Sequence, residues 1–223
     1  MCGRFNVTDS PALQALLAGL NISLAPEAPR YNIAPTENVY TIYQEGESAT
    51  ALAMRWWLTP RWVKEPSQKY AMFNARAETV ASSRAFAQPF KTQRAVVPAG
   101  SFIEWQRSNG GKRAQLISSE SGLLLFAAIW EYWQRDEQEI YSCALLTCDA
   151  VPAFAHIHNR QPVMLEPAEL QQWLDPASDS DQLQQLMLPS LPEPLLVQPV
   201  SSQINNARYK GEPVVEGEPE SIA

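Results

Sequence analysis

The run LLLFAAIWEYW at 123–133 constrains this chain most. Apolar residues almost throughout, with Glu131 as the one carboxylate, leave no polar face for water, so the run has to be buried. Periodicity does not separate a buried strand from a buried helix here. The run is too short to cross a bilayer, and no stretch of about 18 apolar residues occurs anywhere, so no membrane span is expected. EIYSCALLTC at 139–148 follows it and reads as a strand.

Around these runs the pattern is mixed. Residues 2–7, 38–44, 49–57, 94–98, 101–107 and 195–200 have strand composition. The turn Ser108-Asn109-Gly110-Gly111 leads into RAQLIS and predicts a hairpin. Residues 9–20 predict a helix, with Asp9 or Ser10 as cap, Pro11 in the first turn and Gly19 near the end. Residues 76–87, 166–174 and 180–188 also read as helical. Strands and helices without a regular βαβ rhythm point to an α+β fold. At 223 residues, with 18 prolines against nine glycines, short elements joined by stiff turns in one domain are expected. The tail from Gly211, rich in Pro and Glu, reads as loosely held.

Three cysteines, Cys2, Cys143 and Cys148, cannot all pair, and their spacing suits no metal. A reduced, cytoplasmic compartment is the simplest expectation, and the first twenty residues carry no secretory signal pattern. The net charge of −7 argues against a generally basic nucleic-acid binder. The charge is uneven, however. Residues 1–120 carry +4 and residues 121–223 carry −11, which leaves room for a local positive groove in the first half.

The chemistry starts at Met1-Cys2. Cysteine is small enough for the initiator methionine to be removed, which would place an α-amine and a thiol on one residue. The amine titrates at about 7.7–8.0 and the thiol near 8.5, so a fraction of each is nucleophilic near neutral pH. An aldehyde meeting this pair forms an imine with the amine, and the thiol closes a five-membered thiazolidine. The opposing reading is a second residue simply buried in a strand. Asn74, Arg76 and Glu78 alternate in NARAE and share a face if extended; a solvated turn is the plainer alternative. Glu104 stands between Ile103 and Trp105, placed either to move protons or to face water. His158 and Arg160 offer a proton carrier and a fork for phosphate, and His156 is close enough to be confused with His158. Trp56, Trp57 and Trp62 cluster with Arg55, Arg61 and Lys64, which suits stacking on unpaired bases or a core with a charged rim.

In order along the chain, Met1-Cys2-Gly3-Arg4-Phe5, Arg30-Tyr31-Asn32-Ile33-Ala34-Pro35, Arg55-Trp56, Asn74-Ala75-Arg76-Ala77-Glu78-Thr79, Phe102-Glu104-Trp105 and Ile157-His158-Asn159-Arg160-Gln161-Pro162 resemble the SRAP family of abasic-site processing proteins. The resemblance runs from residue 1 to about 214. It implies a single α+β domain over 1–223, with a mostly antiparallel, barrel-like core and flanking helices. It also implies capture of the ring-opened aldehyde of an abasic site in single-stranded DNA as a thiazolidine on Cys2. Strand-cleaving lyase activity and self-removal of Met1 are implied as secondary activities. By the same resemblance Asn74 orients the Cys2 amine or the sugar, while Glu104 and His158 handle protons. Arg4, Asn32, Arg76 and Arg160 hold the phosphate backbone, and Trp56 supports a wedge between bases. No metal and no cofactor is called for. Two departures stand out: Trp57 where the family usually has glycine, and Gln161 after Arg160. Two other classes stay open: an N-terminal-nucleophile amidohydrolase, and a non-covalent single-strand-binding module whose binding is salt-sensitive and independent of Cys2.

Overall fold

In the computed structural model, which describes residues 2–24, 28–108 and 110–223, the apolar run at 123–133 is a strand. The order along the chain is β1 (Phe5–Val7), α1 (Pro11–Gly19), β2 (Arg30–Ile33), β3 (Asn38–Glu45), β4 (Ser48–Trp56), β5 (Asn74–Arg76), α2 (Ala87–Thr92), β6 (Arg94–Ala99), β7 (Ser101–Ser108) and β8 (Gly111–Ser119). There follow β9 (Leu124–Arg135), β10 (Gln138–Asp149), β11 (Arg160–Pro162), β12 (Met164–Leu165), α3 (Leu170–Leu174), α4 (Ser180–Leu186), β13 (Leu195–Pro199) and β14 (Glu220–Ile222).

β9 explains its own composition. It pairs with β6 on one side and β10 on the other, both antiparallel. β10 pairs parallel with β4, β4 with β3 and β3 with β6, so five strands close into a barrel. The fold is therefore α+β with a largely antiparallel barrel at its centre, as the family resemblance implies. Leu124, Phe126 and Ala128 of β9 belong to the inner core with Val39, Met54 and Trp56. The alternate residues Leu125, Ala127 and Ile129 face outward, under Leu17 of α1, Phe90 of α2 and Trp173 of α3. A strand buried on both faces has no polar alternation to display.

A second sheet, ordered β14-β13-β8-β7-β1-β2, packs Phe5, Phe102 and Ile117 onto the same inner core. The chain passes from barrel to second sheet at Gly100. Its N–H donates to the Asn6 carbonyl at 2.9 Å, and a Cβ there would lie 2.3 Å from Thr8 Oγ1. A side chain at this position would force the Thr8 hydroxyl to move.

The helix at 9–20 forms as expected, with Ser10 Oγ accepting from the Leu13 N–H at 3.1 Å. The β7–β8 hairpin pairs Ser108 with Gly111; Asn109 of that turn lies outside the described residues. The expected helix at 76–87 does not form. Residues 74–76 join the β10 ladder, the Ala77 N–H donates to the Thr147 carbonyl, and only a 3₁₀ turn follows at Val80–Ser82 before α2. Strand pairing outweighs the local preference. The tail also differs from expectation at its end. Residues 211–219 are mostly exposed, but β14 pairs with β13 and buries Ile222.

Candidate active site

Cys2 is fully buried, three residues ahead of β1. Its thiol donates to the Arg4 carbonyl oxygen, with Sγ at 3.7 Å. The Ile103 N–H donates to that same oxygen at 3.0 Å, which lays residues 2–4 along the start of β7 and brings Glu104 alongside. Burial pushes the Cys2 thiol far above its ordinary range, and the Glu104 carboxylate pushes in the same direction. Cys2 therefore keeps its proton at neutral pH. Glu104 itself is 2% exposed, opposite Gln115 of β8.

Asn74 opens β5, and its Nδ2 donates to the Cys2 carbonyl oxygen at 2.9 Å. Its Oδ1 is buried with no hydrogen-bond partner among the described residues. The preceding residue is pinned twice, since the Phe73 carbonyl accepts from the Trp56 indole N–H at 2.8 Å and the Leu145 N–H at 3.0 Å. Trp56 is fully buried, edge-on to Phe5 at 4.9 Å, and has no exposed face for a base; it props the strand that carries Asn74.

β5 pairs with Leu145–Thr147 on one side of β10, and β11 pairs with Thr147–Asp149 on the other. The end of β10 thus holds Asn74 on one flank and His158, just before β11, on the other. His158 is half-buried, and its Nδ1 lies 3.0 Å from the Arg160 backbone nitrogen and 3.1 Å from the Arg160 carbonyl oxygen, so it accepts from the first or donates to the second according to its tautomer. His156 is more exposed and lies 3.5 Å from the Glu220 carboxylate, which separates the two histidines.

The phosphate candidates divide. Arg76 is exposed. Arg4 is half-buried above Trp105, 5.8 Å from the ring centroid, with its Nη1 on the Gly3 carbonyl and its Nε without a partner among the described residues. Burial lowers its affinity for its proton, against the opposing field of Glu37. Arg160 is 9% exposed and its fork is occupied: Nη1 meets Glu78 at 2.6 Å and Asp149 at 2.7 Å, while Nη2 meets Glu78 and the Thr147 carbonyl. That hydrogen bond in turn holds the Glu78 carboxyl below its usual range. Asn32 is fully buried in the left-handed region at φ 51°. Its Nδ2 lies within bonding distance of the carbonyls of Ile204, Asn206 and Tyr209, so it clasps the C-terminal segment. None of its side-chain atoms reaches the surface in this arrangement.

The exposed aromatic surface lies elsewhere. Trp62 is 52% exposed with the Arg84 guanidinium 4.5 Å from its ring centroid, and Tyr70 is exposed beside Lys69. Sequence reading groups Trp62 with Trp56 and Trp57 but gives no signal for Arg84. Trp57, the departure from glycine, packs against Phe73 at 5.4 Å and donates to the Ser67 carbonyl. Gln161 is fully buried, joining the Val151 N–H to the Ser190 carbonyl. Among the described residues no group of three His, Cys, Asp or Glu is arranged to hold a metal. Met1 lies outside the described residues.

Comparison with known proteins identifies the family. The profile of the SOS response associated peptidase (SRAP) family matches residues 1–207. The abasic site processing protein YoqW of Bacillus subtilis is 32% identical over 97% of this chain and 99% of its own length. The abasic site processing protein HMCES of Pongo abelii is 30% identical over 81% of this chain and 62% of its own length. A crystal structure of a protein from Bacteroides thetaiotaomicron shares the fold, with a TM-score of 0.75 at 19% identity, covering 89% of this chain and 93% of that one. With Cys2 enclosed by Asn74 and Glu104 on a barrel of this topology, and the profile matched over nearly the whole length, the chain belongs to the SRAP family of SOS response associated peptidases.

Proposed function

We propose that this protein processes abasic sites in single-stranded DNA by capturing the ring-opened sugar aldehyde on Cys2 as a thiazolidine. The observation that carries the reading is Asn74. Its amide is anchored on the Cys2 carbonyl while its Oδ1 remains a buried acceptor without a partner among the described residues. An acceptor so placed suits an N–H on the Cys2 nitrogen, and a buried polar atom without a partner is costly unless it serves the site.

Once Met1 is removed, the Cys2 amine attacks the aldehyde carbon, and loss of water gives the imine. The thiol then adds to the imine carbon, and its proton goes to the nitrogen. One water leaves in total. Glu104 takes and returns protons beside Cys2, and His158 exchanges a proton with the sugar. Arg4 and Arg76 face the phosphates, and the Trp62–Arg84 shelf takes an unpaired base by stacking. Arg160 braces the strand ends that carry Asn74 and His158. Lyase cleavage through the same imine and release of Met1 by the same residues extend this reading. An N-terminal-nucleophile amidohydrolase would hydrolyse an amide without capturing any aldehyde, so a Cys2-dependent crosslink separates the two readings.

The test mixes single-stranded DNA bearing one abasic site with purified protein, then denatures and separates the products beside Cys2→Ala. A heat-stable band with wild type alone is expected, with an intact mass equal to protein lacking Met1 plus DNA minus one water. No band from protein whose mass proves Met1 absent would falsify the reading.

A further inference from the structure

Residues 58–73 carry Trp62 but contain no helix or strand of their own. One face of β9 holds them. Residues 131, 133 and 135 alternate along the strand and share that face. The Arg61 guanidinium reaches the Glu131 carboxylate through Nε at 3.0 Å and Nη2 at 2.7 Å, and Nη2 also meets Gln93 Oε1 at 2.6 Å. The Trp133 indole donates to the Val63 carbonyl at 2.9 Å, and Arg135 Nη1 donates to the Lys64 carbonyl at 3.0 Å. The residues on both sides of Trp62 are thus tied to one strand of the closed barrel.

Glu131 is the lone acid of the apolar run, 2% exposed, while its partner Arg61 is 53% exposed. A buried carboxylate is a poor way to gain stability, because apolar replacements of such pairs are often neutral or better. What a two-point guanidinium–carboxylate contact supplies is direction. It fixes the backbone of Arg61 and so the neighbouring Trp62, whose ring sits under Arg84.

We propose that Arg61 and Glu131 are a positioning pair that sets the Trp62–Arg84 shelf in its DNA-receiving shape before DNA arrives. This rests on the reading of that shelf as part of the DNA surface. An unlatched loop has to be ordered at the moment of binding, and that ordering is subtracted from affinity. A latched loop meets DNA already shaped.

The experiment follows crosslinking to an abasic single-stranded oligonucleotide over a range of DNA concentrations. It uses full-length wild type, Glu131→Gln, Arg61→Lys, Trp62→Ala and the Glu131→Gln/Trp62→Ala double variant. Amide hydrogen exchange over 58–73 is read in each free protein. Glu131→Gln is expected to raise the half-saturating DNA concentration about tenfold, or ~1.4 kcal/mol, with the rate at saturation unchanged. Exchange at 61–64 is expected to quicken. The double variant is expected to bind no worse than Trp62→Ala, because the latch acts through that ring. Arg61→Lys, which keeps the charge without the fork and alters only an exposed side chain, is expected to fall between wild type and Glu131→Gln; it carries the test if the buried substitution prevents folding. Wild type that crosslinks normally beside variants with an unmoved half-saturation, or a double variant whose effect is the product of the singles, overturns the latch and leaves the functional reading standing. Wild type that forms no crosslink overturns the reading and the latch together.

Discussion

The side-chain amide of Asn74 donates to the carbonyl oxygen of Cys2 at 2.9 Å, joining residues 72 apart in the chain. The bond fixes the backbone of the residue proposed to react. Asn74→Ala is therefore expected to slow crosslink formation about tenfold or more through misplacement of the nucleophile, while costing only about 1 kcal/mol of stability for the lost hydrogen bond. Single-turnover rates beside urea midpoints check both halves. Equal rates for the variant and wild type would remove Asn74 from the site.

Trp56 and Trp62 are expected to part company on substitution. Trp56→Ala empties a fully buried position and should lower the unfolding free energy by about 3–5 kcal/mol. Trp62→Ala alters an exposed ring and should leave stability within about 0.5 kcal/mol, yet weaken single-stranded DNA binding by about 1–3 kcal/mol. Denaturation curves and binding isotherms on the same two proteins decide. A destabilised Trp62 variant with normal DNA affinity contradicts the assignment.

The two arginines should likewise separate. Arg76→Ala is expected to reduce the salt dependence of DNA binding by about one phosphate contact with little change in stability. Arg160→Met breaks the contacts to Glu78 and Asp149 and is expected to cost about 1–2 kcal/mol of stability, a figure reduced because both carboxylates are partly exposed to solvent. The Glu78 carboxyl is depressed by Arg160, so its share of stability is present above the ordinary carboxylate range and is lost as pH falls through the depressed value. An acid titration of wild type and Arg160→Met should show a steeper loss for wild type. Parallel curves would contradict the pairing.

The buried thiols predict the opposite pH limb. Burial pushes Cys143 up to about 12 and Cys148 up to about 11. A folded-state value above the unfolded one favours folding fully below the unfolded value and loses that contribution as pH rises toward the folded one. Stability is therefore expected to decline from about pH 9 upward, and Cys143→Ala should flatten the decline. Urea midpoints at pH 7, 9 and 10 test this, and a level wild-type series rules it out.

Much of the fold is legible in the residues, and the exceptions share a cause. β9 reads equally as helix or strand because Leu124, Phe126 and Ala128 face one core while Leu125, Ala127 and Ile129 face another. The segment after Asn74 is misread because its partner, Thr147, is far away in sequence. Cys2, Asn74 and Glu104 are identifiable from their neighbours, and the structure brings them together. Trp56 and Trp62 are not distinguishable that way, since both stand beside arginines and only tertiary burial tells prop from shelf. Arg160 likewise advertises a phosphate site until Glu78, 82 residues earlier, is found in its fork.

A chain terminus is ordinarily the part most free to search its surroundings. Here β1 is held between two neighbours, Phe5 opposite Ile33 on one side and Phe102 on the other, so Cys2 hangs on a three-residue tether from the middle of a sheet. On the proposed reading the protein does not reach for its lesion. The damaged sugar has to make the journey, swinging out of its strand into a fixed receptacle, and the first selection among DNA substrates then falls on how freely a nucleotide can leave its stack.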